Sequence, residues 1–559
     1  MRKYFYLLTA ILTITVGCNS LKRTQQGQSP NKTNPETLQF WYAKDPVTDG
    51  IPGISLEKLY QKKKVPKTAN TIIVAVLDTP IDLNHEDLQG QLWVNTKEIP
   101  DNQLDDDHNG YTDDVNGWNF TGKKQGGSVG WGNLEYVRLV RKWEPYFKDR
   151  DTTQLSQQDR YHFKEYQRAN ASLNYYRKFY QNWGKSLQFS IDIFPSCKDS
   201  LRKIFPDENY TLKDLDSVYA LYKTNDKTYW QRRDDKDRDR GAMIDYMRDF
   251  VESGEKNVAE IIRKKAEIDS ILQKNTNLAY NERDLIGDNP NILEKGYGNN
   301  QVSAGQNQKH GTEVAGIIAA NRSNNSGIKG FSNQIRIMPL ALLISGDEYD
   351  KDIAMAIYYA VDHGAKIINM SFGKEFSLEQ QWVTEAIQYA QQKNVLIVHV
   401  AGNTRMDIDK NPYFPSDYSY QTHTEVASNF ITVGASTHTP DVALVHATSG
   451  YGQNNVDLFA PGAQIFTTVP GNQYQSDSGT SLAAPMVSGA AALIWLHYPG
   501  LTVQQVKQIL LDSGTAYDLE VWIPGGENQK VPFRNLSKSG KILNVYRAME
   551  MAKTISEKK

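Results

Sequence analysis

Ser481 stands in Gly-Thr-Ser-Leu-Ala-Ala-Pro-Met-Val-Ser-Gly, residues 479–489, a setting in which a serine hydroxyl can become a nucleophile. A glycine before it permits unusual backbone torsions, and a serine opening a helix keeps an exposed hydroxyl and an unpaired N–H that can donate to an oxyanion. Pro485 fits that reading if it falls in the first turn, where a missing N–H costs nothing. A plain helix-capping serine leaves the joint occurrence of Gly, Thr, Ser and Pro without a reason. His310 opens His-Gly-Thr-Glu-Val-Ala-Gly-Ile-Ile-Ala-Ala. Its small residues let a helix pack closely and hold the imidazole rigidly, as a general base requires. Asp78 directly follows the apolar run Ile72–Leu77, and Asn403 follows Val395–Ala401 and Gly402. Alone, Asp78 reads equally as a cap and Asn403 as a turn residue. Together the four offer a nucleophile, a base, a carboxylate to orient the base and an amide for a developing oxyanion.

These residues need a scaffold that brings strand ends and helix starts together. Ile72–Leu77, Ile335–Leu343, Lys366–Met370, Val395–Ala401 and Phe430–Ala435 are short apolar runs with few polar residues. Helical patterns lie between them at His310–Ala320, Lys351–His363, Leu378–Gln392, Ser481–His497 and Val503–Leu511. Apolar strands alternating with helices predict an α/β fold, a mainly parallel, doubly wound sheet covered on both faces. Ligands bind such sheets at the carboxyl ends of strands, where Asp78 and Asn403 fall. Residues 130–285 differ, being dense in charge and aromatics; Tyr136–Phe147, Tyr161–Trp183 and Asn257–Leu272 predict helices, and Trp230–Gly241 a solvated charged face or loop.

Five blocks resemble the subtilisin-like serine peptidases, the subtilases. They are Val-Ala-Val-Leu-Asp-Thr ending at Thr79, His-Gly-Thr-Glu-Val-Ala-Gly from His310, Asn-Met-Ser-Phe-Gly at 369–373, Ala-Gly-Asn at 401–403, and the block around Ser481. The order Asp, His, Ser is that of the family. The resemblance implies a serine endopeptidase in which Asp78, His310 and Ser481 form a catalytic triad and Asn403 binds the oxyanion. It also implies that Ser371, Phe372, Gly373, Ala401 and Gly402 bind substrate as a strand edge. Two positions depart from the family: Pro80 replaces a usual glycine, and Glu313 a usual second histidine. Neither removes a catalytic atom. Asp78 and His310 lie 232 residues apart, so a helical insertion at 126–298 is expected within a peptidase domain at 70–125 and 299–552. It would emerge near the catalytic face, to cover the cleft, dock a partner or do neither.

Asp105, Asp107, Asn109 and Gly110 follow the Ca²⁺-loop pattern of alternating oxygen ligands before a glycine, with Tyr111 and Asp113 at later ligand positions. A structural Ca²⁺ is expected there; an acidic turn kept open by its own repulsion is the alternative. The net charge of −2 gives no reason to expect a nucleic-acid partner. Met1-Arg2-Lys3, an apolar stretch and Gly17-Cys18 resemble a bacterial lipoprotein signal over residues 1–18, with Cys18 lipidated. The chain is therefore expected in the cell envelope, lipid-anchored to a membrane, with residues 19–69 as tether and N-terminal extension that packs on the catalytic domain. No other stretch reads as a membrane span. With Cys18 lipidated, Cys197 is expected to be a packed, inert thiol. Protein or peptide substrates follow from the resemblance. The competing reading is a surface binding or scaffold protein on an inactive subtilase fold.

Overall fold

The computed structural model describes residues 38–62, 65, 68–255, 257–342, 344–526 and 529–558, so the expected signal, lipidated Cys18 and tether through residue 37 lie outside the described residues. The chain divides into two compact units, one spanning residues 131–281 and the other the described residues on either side of it.

The larger unit is built on one nine-stranded sheet. Its strands are β1 Ile72–Asp78, β2 Trp118–Asn119, β3 Ile335–Ala341, β4 Ile367–Met370, β5 Leu396–Val400, β6 Phe430–Ser436 and β7 Leu458–Pro461. A separate hairpin of β8 Ile465–Val469 and β9 Gln473–Asp477 follows, then β10 Thr515–Ala516 and β11 Lys541–Ile542 complete the sheet. The order is β10-β11-β7-β6-β5-β4-β1-β3-β2, parallel throughout except for the edge pair β10–β11. The chain passes from β3 to β4 on the opposite side of β1, so the carboxyl end of β1 is a topological switch point. Asp78 is its last residue.

Six helices cover the sheet: α1 His310–Ala319, α2 Asp350–Asp362, α3 Gln380–Gln392, α4 Thr480–His497, α5 Val503–Ser513 and α6 Val545–Glu557. Successive strand residues point to opposite faces. Val74, Val76, Ile335, Ile337 and Val398 therefore join the core beneath α1, α4, α5 and α6, while Ala75, Leu77, Met338, Leu340 and Ile368 join the one beneath α2 and α3. Among the described residues one helix, α4, is long and apolar enough to cross a membrane, against the expectation that no stretch beyond the N-terminus would be. Its apolarity has another cause: every residue from Leu482 to Leu496 is buried in the core. Residues 38–62 pack directly on this unit. Trp41 is buried and donates its indole N–H to the Ala463 carbonyl (2.9 Å), and Val545 N–H donates to the Ile54 carbonyl (2.8 Å).

The second unit is helical: Glu135–Phe147, Gln157–Arg202, Leu212–Tyr222, Tyr229–Asp235, Arg240–Glu252 and Val258–Ser270. Residues 282–298, expected with the insertion, pack instead into the sheet unit. Buried charges explain why. Arg283 pairs with Asp288 (3.0 Å) and Asp352, Lys351 pairs with Asp288, and the Tyr297 hydroxyl donates to Asp352 (2.8 Å). Ions buried this deeply hold only as a closed set. The charged run 230–241 is likewise not merely solvated. Arg232 is fully buried, donating to Asp245 (3.1 Å) and the Tyr219 hydroxyl (3.0 Å). Cys197 is buried and unpaired, its thiol pushed up to about 12 by burial, as an inert thiol should be.

Candidate active site

The end of β1 and the start of α1 are stitched together so that Asp78 and His310 have one arrangement. Asp78 is buried, and its Oδ1 accepts from His310 Nδ1 (2.7 Å) and from the Thr79 N–H (2.7 Å). Thr79 Oγ1 in turn accepts the Gly311 N–H (2.9 Å), and Thr312 Oγ1 the Asp82 N–H (2.9 Å). A Cβ on Gly311 would lie 2.2 Å from the Thr79 carbonyl oxygen, so the motif glycine is what lets the helix reach the strand. Pro80 causes no break, because the bonds that hold this turn come from its neighbours Thr79 and Asp82.

Burial alone would lower the His310 pKa, but the Asp78 carboxylate outweighs it, and with Glu313 and Asp477 raises it to about 9. Glu313, standing where the resemblance predicts a histidine, is buried one turn into α1. It accepts from Gln475 Nε2 (2.6 Å), and burial raises its own pKa. Lys309 bridges to Asp477 (2.8 Å) and to Glu313 (3.5 Å).

Ser481 is the second residue of α4, after the cap Gly479. Gly479 has φ +155°, and a Cβ there would crowd Asn403 Nδ2 at 3.0 Å. Asn403 Oδ1 accepts from the Thr480 N–H (3.0 Å) and hydroxyl (3.2 Å). With its oxygen so occupied, the amide keeps its NH₂ end for donation elsewhere, as an oxyanion donor must. The Ser481 hydroxyl donates to the Ser371 carbonyl (3.1 Å) rather than to the imidazole. In this state the Ser481 hydroxyl is held on the end of β4.

Pro485 does not lie in the first turn. It is the sixth residue of α4, deep enough that its missing N–H deprives the Ser481 carbonyl of its helical partner. The Ser371 hydroxyl takes that place, donating to Ser481 O at 2.9 Å. Ser371 and Ser481 thus exchange two hydrogen bonds, and the proline creates the vacancy that ties Ser481 to the neighbouring strand end.

The residues expected to bind substrate line two adjacent strand ends, β4 running into Ser371-Phe372-Gly373 and β5 into Ala401-Gly402-Asn403, with Met370 and His399 in register. The Phe372 carbonyl accepts from His399 Nε2 (2.7 Å). Burial lowers the His399 pKa to about 3, so a neutral imidazole braces this strand end. Nothing in the sequence pattern marked His399, one of a run of strand residues.

In the acidic loop, ligand oxygens of Glu98, Asp105 and Asp107 lie within 4.8 Å of one another. Asp105 accepts the N–H groups of Asn109 (3.0 Å) and Gly110 (2.8 Å), and Asn109 Oδ1 accepts the Tyr111 N–H (2.7 Å). The Asp113 carboxylate is not in this group: it accepts the N–H groups of Asn102 (3.2 Å) and Gln103 (2.7 Å). The Tyr111 side chain is buried among Trp118, Phe120 and Tyr359. Glu98 was not foreseen; it sits outside the motif, seven residues before Asp105. Its Oε1 accepts from the Asp106 and Asp107 N–H groups (3.0 and 3.2 Å), and its buried Oε2 has no hydrogen-bond partner. Burial, then Asp114 and Asp107, raise its pKa. Converging carboxylates with an orphaned buried oxygen fit a hard cation such as Ca²⁺.

A buried Asp–His pair thus stands at the sheet's switch point, where folds of the α/β class place their sites. The chain belongs to the Subtilase family, whose model matches residues 69–531. A thermophilic serine proteinase of Bacillus sp. (strain AK1) is 36% identical over 222 residues, 39% of this chain and 50% of that protein. Subtilisin DY of Bacillus licheniformis is 31% identical over 208 residues, 37% of this chain and 70% of that protein. Among solved structures, fervidolysin from Fervidobacterium pennivorans is 26% identical with a TM-score of 0.35, covering 43% of this chain and 36% of that one. The chain spans about half the length of the first of these relatives.

Proposed function

We propose that this chain is a serine endopeptidase in which Ser481 attacks the scissile carbonyl, His310 relays the proton and Asp78 orients the imidazole. The observation that carries the reading is the Asp78–His310 hydrogen bond at the switch point, in the same site as a serine N–H and an amide whose oxygen is already taken. Ser481 turns from Ser371 to His310 as substrate binds, which releases the Ser371 carbonyl to accept a substrate N–H. His310 takes the hydroxyl proton, and Asn403 Nδ2 with the Ser481 N–H stabilises the oxyanion, each donor worth about 3–4 kcal/mol. The imidazolium then protonates the leaving amine, and water, activated by the same base, hydrolyses the acyl-Ser481 ester.

Glu98, Asp105 and Asp107 would hold Ca²⁺, with Asn109 and the backbone at Tyr111 completing the loop. When bound, the ion neutralises the carboxylates and rigidifies residues 95–114; it takes no part in bond cleavage. Export is part of the same proposal. It is supported by residues 1–18 and by a 33% identical relative named a cell wall-associated protease, from Bacillus subtilis. Cys18 is then the point of lipid attachment.

The test is labelling of the purified protein with a fluorophosphonate, alongside Ser481→Ala. Labelling of the parent alone, with casein hydrolysis to match, supports the reading. An unlabelled, folded, Ca²⁺-supplemented parent refutes it in favour of a binding protein on the same fold.

A further inference from the structure

The two strand ends that flank Ser481 are separated by a slot, and the slot is filled from within. A Cβ built on Gly373 would lie 2.5 Å from Tyr413 Cε1, 2.6 Å from Cζ and 2.7 Å from the phenol oxygen. A Cβ on Gly402, on the facing segment, would meet the same three atoms at 3.0, 2.6 and 2.8 Å. One edge of one ring is therefore clasped by both segments. Gly402 has φ +83° and needs to be glycine for its backbone. Gly373 lies outside the left-handed region, so the approach of the tyrosine is the reason found for glycine there.

The ring is also fixed from behind. The next residue, Phe414, exchanges hydrogen bonds with Lys374 (2.8 and 2.9 Å), and the Tyr413 N–H donates to the Tyr420 hydroxyl (3.3 Å). Burial and nearby Glu348 raise the pKa of the phenol, so it stays neutral.

Resting on the peptidase reading, we propose that Tyr413 is the specificity-determining residue of the site and restricts the acyl-side residue of the substrate to Gly, Ala or Ser. A scissile carbonyl held between Ser481 and Asn403, with its N–H on the Ser371 carbonyl, projects its own side chain between residues 371–373 and 401–403. That is the space the tyrosine ring occupies. A β-carbon fits; an aromatic or long aliphatic side chain meets the ring. Shape exclusion of this kind is worth one to two orders of magnitude in discrimination.

Two measurements on the full chain test this. In the first, kcat/KM is compared for peptide p-nitroanilides ending in Ala and in Phe. The parent is expected to favour Ala by about 100-fold, and Tyr413→Ala to raise the Phe rate by a similar factor. Tyr413→Val, which leaves a smaller void, guards against failure to fold. In the second, peptides ending in Ala or Phe are titrated calorimetrically onto Ser481→Ala, which reads the slot without turnover. Tighter binding of the Ala peptide by about tenfold, reversed when Tyr413→Ala is added, is expected. A parent that cleaves after Phe as readily as after Ala overturns the proposal, and so does an unchanged preference in the Tyr413 variants. If turnover is absent but the binding preference holds, the peptidase reading fails and the slot stands.

Discussion

The sheet unit and the unit at residues 131–281 bury their polar groups in different ways. Around Ser481, close backbone approach dictates the residues: Gly311 against Thr79, Gly479 against Asn403, Gly373 against Tyr413. In the helical unit, Arg232 reaches Asp245 and Tyr219, Arg248 reaches Asp216 (2.6 Å) and Asp245 (2.7 Å), and Phe189, Tyr229 and Tyr246 meet edge to face. Long side chains pair with one another there. The contrast is one of degree: close approaches crowd the sheet unit, while the helical unit also has one at Gly241, where a Cβ would lie 2.4 Å from the Tyr222 carbonyl oxygen.

The largest effect that sharpens this contrast is loss of the nucleophile. Ser481→Ala should lower kcat by about 10⁴–10⁶-fold while leaving the thermal midpoint nearly unchanged, since the variant removes one oxygen and a single bond to Ser371. Substantial peptide hydrolysis by Ser481→Ala would break the proposed mechanism. In the helical unit the largest effect should be on stability instead. Phe250 is wholly buried against Phe194, and Phe250→Ala should cost about 3–5 kcal/mol by denaturant unfolding while fluorophosphonate labelling persists. Next comes Asn403→Ala, expected to lower kcat by about 10²–10³-fold with little change in KM. Because Asn403 also caps Thr480, a melting curve should accompany it; a loss confined to KM would deny the amide its oxyanion role.

Much of the site was legible for the same reason that it is constrained. Asp78, His310, Ser481 and Asn403 sit in local motifs whose small neighbours are fixed by backbone contact, so each announces itself within a few residues. Five apolar runs gave β1 and β3 to β6 within two residues, because a sheet buried on both faces leaves few polar positions in them. What was hidden depends on contacts across the chain. Glu98 joins Asp105 and Asp107 only through the loop's path, His399 looks like any residue of an apolar strand, and Tyr413 lies in a polar stretch with no motif. Pro485 was visible, but its consequence, a freed Ser481 carbonyl, needed Ser371 110 residues away. The 46-residue helix Gln157–Arg202 also outran its legible core: Gly184 and Pro195, residues that commonly end helices, lie within it, and the part beyond still buries Leu187, Ile193, Phe194, Cys197 and Leu201.

Chelation probes a smaller effect. If Glu98, Asp105 and Asp107 hold Ca²⁺, removing it with EGTA should lower the thermal midpoint by several degrees, a saturating ligand contributing about 2.7 kcal/mol at 100 times its Kd. Glu98→Gln should abolish most of that difference. A midpoint indifferent to both would leave the loop an acidic turn.

The finest test concerns pH, because Glu313 belongs to the packed helix start and yet acts electrostatically on the site. His310 works only as a neutral base, so kcat/KM should climb with pH through its raised pKa, about 9. The sign for stability is opposite. A histidine raised above its unfolded value of 6.5 contributes stabilisation that is complete below that value and is lost as pH rises through about 9. The site therefore gains activity across the window in which its ion pair stops stabilising the fold. Asp78 dominates this shift, and Glu313 and Asp477 add to it. Glu313→Gln keeps the shape and can keep the Gln475 contact while removing the charge, so the ascending limb of the kcat/KM profile should move toward lower pH with its plateau preserved. A plateau that falls while the limb stays in place would mean that Glu313 only packs the helix start and that the basicity of His310 is set by Asp78 and Asp477.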